Sequence, residues 1–264
     1  MTLVQALIMS IVEGVTEFLP VSSTAHLVLA SKLMGISQTG FVKSFEIAIQ
    51  LGAILAVVVL YFKDLTANYR VWPKIILAFV PTAVLGFIFY GFVKSVLLGN
   101  SAVTSIALAA GGLLFIVIER VCAKLVPALN TNTHGFYQEL AKLPSLKLLG
   151  IGVMQSVSMI PGVSRSAASI AGGMLVGLTK QTAIKFSFIL AIPTMLAATS
   201  LDLYKSGFMF NPNELTVLTI GFLGSFGFAL LAVKTFTGYL QKHSFVLFGI
   251  YRITIGLLWF FVLM

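Results

Sequence analysis

Long apolar stretches constrain this chain more than any other feature of its sequence. Six of them lie at about residues 43–62, 73–94, 101–120, 182–202, 214–233 and 245–264. A helix needs roughly 20 consecutive apolar residues to cross the hydrocarbon core of a bilayer. Charged side chains make up 9% of the 264 residues and apolar ones 58%, whereas a soluble domain carries about 25% charged residues. The sequence therefore predicts an all-α polytopic membrane protein.

The net charge of +9 is better explained by membrane topology than by nucleic-acid binding, because the sequence has no basic run and no basic face interleaved with aromatic residues. With the loop at 63–74 inside, the inner side carries eleven Lys and Arg side chains and the outer side four, leaving out Arg165 and Arg252 within the membrane. The positive-inside rule then places both termini outside. We expect Arg252, near the inner end of the last span, to extend its charged end to the interface.

A polar stretch interrupts this apolar background near the N-terminus. Residues 13–26 read EGVTEFLPVSSTAH, with two carboxylates, three consecutive hydroxyls and an imidazole. Polar groups are costly in hydrocarbon, so the stretch predicts a functional site. Glu13 and Glu17 are four residues apart on one face of a helix predicted over about 3–19, which Pro20 ends. The helix dipole disfavours carboxylates at this end, so they need a metal ion or an arginine as partner.

The segment after Pro20 is too short to cross a membrane. Ser22, Ser23 and Thr24 open a helix predicted to end near Leu33. About eleven residues span roughly 16 Å, about half of what a bilayer requires. We therefore predict a re-entrant hairpin with a polar tip near the midplane, where irregular backbone is tolerated if it is buried in protein or lines a cavity.

The second half of the chain repeats this order of elements. Residues 148–177 hold another apolar stretch, broken by PGVSRS at 161–166. A shift of 142 positions places Glu13 on Gln155, Ser22 on Ser164, Ser23 on Arg165 and Thr24 on Ser166. We predict a single membrane domain over 1–264, with repeat 1 at 1–120, a linker at 121–147 and repeat 2 at 148–264.

Each predicted repeat consists of one re-entrant helical hairpin and three transmembrane helices. Three crossings are an odd number, so the second half is expected to be inverted relative to the first. In inverted repeats, binding sites form at the midplane where the broken helices of the two halves meet. The tips at 20–24 and 161–166 are therefore expected to face each other.

Together the two tips offer the groups that phosphate chemistry needs. Helix N-termini present unpaired N–H groups to an anion, and an arginine can bind phosphate oxygens through two parallel hydrogen bonds. The predicted diphosphate-binding residues are Ser22, Thr24, Ser164, Ser166 and Arg165. Glu13 and Glu17 can hold a hard divalent cation through their oxygens. A diphosphate bridged by a metal to carboxylates and held by an arginine suits phosphoryl transfer.

The nucleophile and the base remain open. Ser23 and His26 are three residues apart on one helix face, so they can form a hydroxyl–imidazole pair. Glu17 is an alternative base, and direct attack by water is an alternative to a phosphoserine. The candidate catalytic residues are Glu17, Ser23, His26 and Arg165.

Residues 13–26 and 161–166 resemble the two signature motifs of the bacterial undecaprenyl-pyrophosphate phosphatase (bacitracin-resistance) family, and QLGAILAV at 50–57 and the pair Tyr251-Arg252 extend the resemblance over nearly the whole chain. The resemblance implies dephosphorylation of undecaprenyl (C55 isoprenyl) diphosphate to the lipid carrier of peptidoglycan and other envelope polymers. It also implies a divalent cation, Mg or Ca, an inner-membrane location and an outward-facing site. Bacitracin would act by sequestering the lipid substrate. Residues 166–169 read SAAS where the family often has Ser-Gly-Ala-Thr.

Carried over to this sequence, the family's acidic motif is Glu13 and Glu17, and its diphosphate-binding arginine is Arg165 beside Ser164. The hydroxyl and histidine group corresponds to Ser22, Ser23, Thr24 and His26. The inverted repeat motivates an alternative function, a transporter or flippase of a polyprenyl phosphate, alone or combined with the phosphatase. The glutamate pair favours the enzyme, because an anion carrier gains nothing from carboxylates without a metal. The sequence does not determine the oligomeric state, and a homodimer is one of the alternatives.

Overall fold

The computed structural model describes residues 1–125, 135–206 and 210–262, and the regular structure in these ranges is helical throughout. The α-helices are α1 (Leu3–Thr16), α2 (Ser23–Leu33), α3 (Gly40–Ala67), α4 (Trp72–Phe92), α5 (Ser101–Leu125), α6 (Phe136–Lys142), α7 (Ser145–Ser156), α8 (Arg165–Leu175), α9 (Lys180–Ser206), α10 (Pro212–Lys242) and α11 (Val246–Val262). Turns of 3-10 helix at Tyr69–Val71 and Val157–Met159 and a π-helical turn at Val93–Leu97 extend them. The predicted all-α membrane fold is confirmed.

Five of the described helices are long and apolar enough to cross a bilayer. They lie within Gly40–Lys63, Tyr69–Leu97, Ser101–Lys124, Lys180–Lys205 and Pro212–Lys242. These helices match five of the six predicted spans. The helix at the sixth, α11, has 17 described residues, the short end of the range for a spanning helix. Residues 263–264 lie outside the described part of the chain.

Two pairs of short helices form the predicted hairpins. The arms α1 and α2 have 14 and 11 residues, the arms α7 and α8 have 12 and 11, and each pair packs together. At 1.5 Å per residue, none of the four reaches the roughly 30 Å of a bilayer core. Helix α1 ends at Thr16, earlier than the predicted Leu19, because the ring of Pro20 clashes with the carbonyl four residues before it.

Each hairpin packs against a long helix of the opposite half of the chain. Helix α1 lies on α10 and α7 lies on α4, while α3 contacts α9 and α5 contacts α11. Glycines let the backbones approach closely: a Cβ added at Gly14 would lie 2.7 Å from the carbonyl oxygen of Ser225, and one at Gly152 would lie 2.1 Å from that of Ala78. Both tips are thereby held inside the bundle, with Ser22 and Ser164 buried.

The predicted linker at 121–147 is partly helical. Helix α5 continues to Leu125, α6 occupies Phe136–Lys142, and α7 begins at Ser145. Residues 126–134, which include most of the polar centre of this loop, lie outside the described residues. The division into repeats at 120 and 148 stays a prediction.

Candidate active site

The two hairpin tips have similar backbone conformations at their capping serines. Ser22 has a φ of 73° and Ser164 a φ of 76°, and they are the non-glycine residues with positive φ in the described part of the chain. Each serine caps the helix that follows: the Ala25 N–H donates to Ser22 Oγ at 3.4 Å and the Ala167 N–H donates to Ser164 Oγ at 3.2 Å. Positive φ is unfavourable for serine, and strain of this kind concentrates at functional sites.

A cavity of about 240 Å³ joins the tips to the space between α4 and α9. Its polar end is lined by Glu17, Ser22, Ser23, Thr24, Ser164 and Arg165. Its walls are largely apolar and include Ile47, Phe79, Phe87, Met159, Met195 and Leu201. The cavity can therefore accept a ligand with a charged head and an apolar body.

The carboxylate of Glu17 connects the two tips. The Ser23 hydroxyl donates to Glu17 Oε2 at 2.5 Å, and Nη2 of Arg165 donates to Glu17 Oε1 at 2.6 Å. All three side chains are nearly buried, with 6%, 6% and 8% of each residue exposed. Ser23 therefore has a base within hydrogen-bonding distance, and an arginine balances the charge of that base.

Arg165 contacts residues from both halves of the chain. Its Nη1 donates to the Ser187 carbonyl at 3.0 Å, and its guanidinium lies 6.0 Å from the ring centroid of Phe18. Nε has no acceptor among the described residues. The guanidinium thus retains donor capacity beyond its bonds to Glu17 and Ser187, and it borders the cavity where an anion would enter.

The structure does not bring His26 to Ser23. Nδ1 of His26 lies 2.8 Å from the Ser22 carbonyl oxygen, and Nε2 lies 2.7 Å from the Tyr251 hydroxyl. A carbonyl accepts only, so Nδ1 carries a proton, and in the neutral ring Nε2 accepts from the Tyr251 hydroxyl. Both ring nitrogens are therefore engaged, and His26 lies outside the cavity lining. The predicted hydroxyl–imidazole pair is replaced by Ser23–Glu17.

Ser166 also lies away from the cavity. Its hydroxyl donates to the Phe18 carbonyl at 3.2 Å, which ties the second tip to the first. The predicted diphosphate ligands Ser22, Thr24, Ser164 and Arg165 line the cavity, and Ser166 does not. The difference arises because successive residues at a helix start point about 100° apart, so Arg165 and Ser166 face different neighbours.

Glu13 lies behind Glu17 and is fully buried. Neither of its carboxylate oxygens has a hydrogen-bond donor among the described residues, and its electrostatic neighbours are Glu17, Arg165 and Glu46. A buried carboxylate beside a second one needs a cation or a proton. Clusters of three or more His, Cys, Asp or Glu residues suited to a metal are not found in the described ranges. Two carboxylates still fit Mg²⁺, which commonly binds one or two of them together with substrate phosphates.

Sequence reasoning missed the place of Arg252. The prediction that it extends to the interface is wrong: the residue is 0% exposed and its guanidinium donates to carbonyls of both hairpin tips. The signal was available, because an arginine within a membrane helix indicates function by default. The rule applies to Arg252 as it does to Arg165, but the position of Arg252 near the predicted end of a span favours the interface, because a long side chain can reach water there.

Polar groups along the cavity were also missed. Gln155 Nε2 donates to the hydroxyls of Thr82 and Thr194 at 3.1 and 3.0 Å, and both threonines line the cavity. At the far end of the cavity, Lys94 forms a salt bridge with Asp202. Single threonines in apolar helices give no sequence signal, because most of them bond only to their own backbone.

Comparison with known proteins identifies the family of this chain. The family model described as bacitracin resistance protein BacA matches residues 6–258. The chain belongs to this family. Relatives of it named undecaprenyl-diphosphatase include the protein of Aquifex aeolicus, which is 50% identical over 98% of each chain. Those of Wolinella succinogenes and Thermus thermophilus are 43% and 41% identical, covering 100% and 97% of this chain and 99% and 96% of their own. The residues matched by the family model include both hairpin tips.

Proposed function

We propose that this protein hydrolyses undecaprenyl diphosphate to undecaprenyl phosphate and inorganic phosphate. The observation that carries the proposal is the Glu17 carboxylate, which accepts from the Ser23 hydroxyl at 2.5 Å and from Arg165 at 2.6 Å at the polar end of a cavity with largely apolar walls. Membership of the BacA family and the shared name of the relatives support the substrate. Those relatives are named for hydrolysis, and the transport alternative gains no support from them.

The short bond to Glu17 favours Ser23 as the nucleophile. As Ser23 Oγ bonds to the terminal phosphorus, its proton passes to Glu17 and the bridging P–O bond breaks. The proton then goes to the oxygen of the departing undecaprenyl phosphate. Glu17 next takes a proton from a water molecule that attacks the phosphoserine, the P–Oγ bond breaks, and the proton returns to Oγ. Inorganic phosphate is released and Ser23 is restored.

The rest of the polar end binds and orients the diphosphate. The N-termini of α2 and α8, together with Ser22, Thr24 and Ser164, present donors to its oxygens. When substrate binds, the Arg165 guanidinium gives up part of its hydrogen bonding to Glu17 and binds the phosphate that is transferred. This change frees the Glu17 carboxylate to act as a base. The apolar walls of the cavity accept the first isoprene units of the lipid and exclude water from the reacting groups.

We propose that a divalent cation, Mg or Ca, would complete the site. Glu13 and Glu17 would hold it together with phosphate oxygens of the substrate, which is consistent with the unpartnered carboxylate of Glu13. Such an ion neutralises charge that develops on the transferred phosphoryl group. We expect a chelator to abolish phosphate release from the wild-type protein. Glu13→Gln should raise the metal concentration needed for half-maximal activity, and unchanged metal dependence in that variant would contradict this role.

Glu17→Gln tests the proposed reaction most directly. General base catalysis contributes about 10² to 10⁴ in rate, so purified Glu17→Gln should release phosphate from a polyprenyl diphosphate about 1,000-fold more slowly than wild type. The matched control is Glu214→Gln, which keeps the capping box at the start of α10, because glutamine also serves at that position. Near-normal turnover by Glu17→Gln, or no turnover by wild type with any divalent ion, would refute the proposal.

The site is proposed to face outward from the bacterial inner membrane, with both termini outside and the two halves inverted. The charge bias between predicted loops supports this orientation. The corresponding contacts of the halves, α1 on α10 and α7 on α4, support the relation between the two halves. After replacement of the single cysteine, Cys122, a new cysteine at Asn100 should react with an impermeant label in intact cells, whereas one at Lys142 should react only after the membrane is permeabilised. Labelling from the same side would contradict the topology.

A further inference from the structure

The guanidinium of Arg252 lies between the two hairpin tips. Nη2 donates to the carbonyl oxygens of Gly162 at 3.0 Å and Val163 at 2.7 Å, and Nη1 approaches that of Pro20 at 3.4 Å. The side chain is 0% exposed and lies outside the cavity lining. One buried residue therefore bonds to the backbone of both tips without reaching the space where substrate binds.

The carbonyls that Arg252 contacts lie one or two residues before the capping serines of the two tips. Val163 is joined to the capping residue Ser164, and Pro20 is two residues before Ser22. These segments are irregular, so their carbonyls have no partners within a helix, and unpaired carbonyls at membrane depth are costly. The position of this guanidinium thus influences where both capping serines lie.

The neighbouring residue on α11 reaches the first tip by a second route. The Tyr251 hydroxyl bonds to His26 Nε2 at 2.7 Å, and the two rings stack with centroids 5.6 Å apart. His26 Nδ1 in turn bonds to the Ser22 carbonyl at 2.8 Å. Tyr251 acts on one tip only, whereas Arg252 contacts both.

Two glycines of helix α5 make room for the side chain of Arg252. A Cβ added at Gly111 would lie 2.2 Å from Nη2 of Arg252, and one at Gly112 would lie 2.9 Å from its Cβ. A methyl group at position 111 would meet the end of one flexible side chain, with the Val163 carbonyl oxygen next in reach at 3.6 Å. That substitution should shift the guanidinium and leave the helices in place.

We propose that Arg252 is a positioning residue that fixes the two tips relative to each other and thereby sets the geometry between Ser23 and Arg165. The expected effect of Arg252 on the reaction rate rests on the proposed phosphatase function. We call the hydrogen bonds from Arg252 to the carbonyls of Pro20, Gly162 and Val163 the clamp. Small displacements of reacting groups can cost about 100-fold in rate, so loss of the clamp should lower kcat by about that factor. KM should change less, because Arg252 does not itself line the cavity.

The test compares Arg252→Met, which keeps length and removes the donors, with Arg252→Lys, which keeps the charge. Phosphate release from a polyprenyl diphosphate and hydrogen exchange of peptides covering residues 18–26 and 160–168 are measured for each. We expect kcat to fall about 100-fold in Arg252→Met and less in Arg252→Lys, since an ammonium can reach one tip but lacks the fork that serves two. Exchange at both tips should rise in Arg252→Met.

Two glycine variants separate the clamp from general packing. Gly111→Ala displaces Arg252 Nη2, whereas Gly224→Ala creates a similar 2.3 Å clash with Ser10 Oγ, away from the tips. We expect lower kcat and faster tip exchange in Gly111→Ala, and wild-type kcat and tip exchange in Gly224→Ala.

Hydrogen exchange at the tips tests the role of Arg252 even if the proposed phosphatase function is refuted. Unchanged tip exchange in Arg252→Met would overturn the clamp whatever the activity. Faster exchange with normal kcat would overturn its role in positioning. Equal losses of kcat in both glycine variants would assign the effect to packing. A wild-type protein that releases no phosphate would instead refute the proposed function and leave exchange as the measure of the clamp.

Discussion

At the first hairpin tip Ser22 has a φ of 73° and caps α2, and at the second tip Ser164 has a φ of 76° and caps α8. Both helices have 11 residues. The next residue is Ser23 at one tip and Arg165 at the other, and these two side chains bond to opposite oxygens of Glu17. The two tips have similar backbones, but the residue after the cap carries a hydroxyl at the first tip and a guanidinium at the second.

This difference shows how a repeated shape can build an asymmetric site. The first helical residue after each cap points toward the centre, where a hydroxyl and a guanidinium are both within reach of one carboxylate. The arms before the tips differ in the same way, since Glu13 on α1 and Gln155 on α7 are both fully buried but only one can be charged. The first tip and its arm therefore supply the hydroxyl and the acidic groups around Glu17, and the second tip supplies the guanidinium.

Removing the hydroxyl from the first tip should have the largest effect. If Ser23 is the nucleophile, Ser23→Ala should lose about 10⁴-fold or more in kcat, as in enzymes that lose a covalent nucleophile. Thr24→Ala is the control, because Thr24 lines the same cavity without bonding to Glu17 and should cost far less. Trapping of radiolabelled phosphate on wild type but not on Ser23→Ala would identify the phosphoserine, and retained turnover in Ser23→Ala would mean attack by water.

Changing the cation of the second tip should have the next largest effect. Arg165→Ala should lower kcat about 100- to 1,000-fold, the usual result of removing a donor that stabilises charge in the transition state. Arg165→Lys keeps the charge but loses the two-pronged geometry, so it should recover only part of that loss. Equal activity of Arg165→Lys and wild type would show that Arg165 serves only to balance the charge of Glu17.

The sequence was sufficient to locate both tips because their signals are local. Serines at 22 and 164 precede short apolar helices, and a proline three residues or fewer before each ends or bends the preceding segment. The sequence predicted that Arg165 would meet the acidic helix, because an unpaired charge in hydrocarbon needs a partner. These inferences required only the cost of isolated polar groups and the length of each helix.

The partners of His26 and Arg252 could not be predicted because they depend on packing between distant elements. The spacing of Ser23 and His26 allows contact on one helix face, yet Glu17 from the preceding arm lies nearer to Ser23 and Tyr251 from α11 bonds to His26. Which side chain bonds to His26 depends on how α11 lies against the hairpins. Gly111 and Gly112 of α5 permit the close approach that sets the position of α11, and no local sequence pattern predicts it.

The smallest expected effect concerns the shared backbone itself. Replacing Ser164 by Ala removes the cap and leaves a β-carbon at φ 76°, whereas Gly tolerates that conformation and loses only a few tenths of a kcal/mol as a cap. Ser164→Gly should therefore be more stable than Ser164→Ala by about 1 kcal/mol, or roughly 2–4 °C in Tm. Both variants lose the same hydroxyl, so their activities per folded molecule should be equal. Because φ at Ser22 differs by only a few degrees, Ser22→Gly and Ser22→Ala should reproduce the same gap in Tm. A gap at one tip and none at the other would mean that the two serines hold their conformation for different reasons, with the clamp by Arg252 on Val163 the first difference to test.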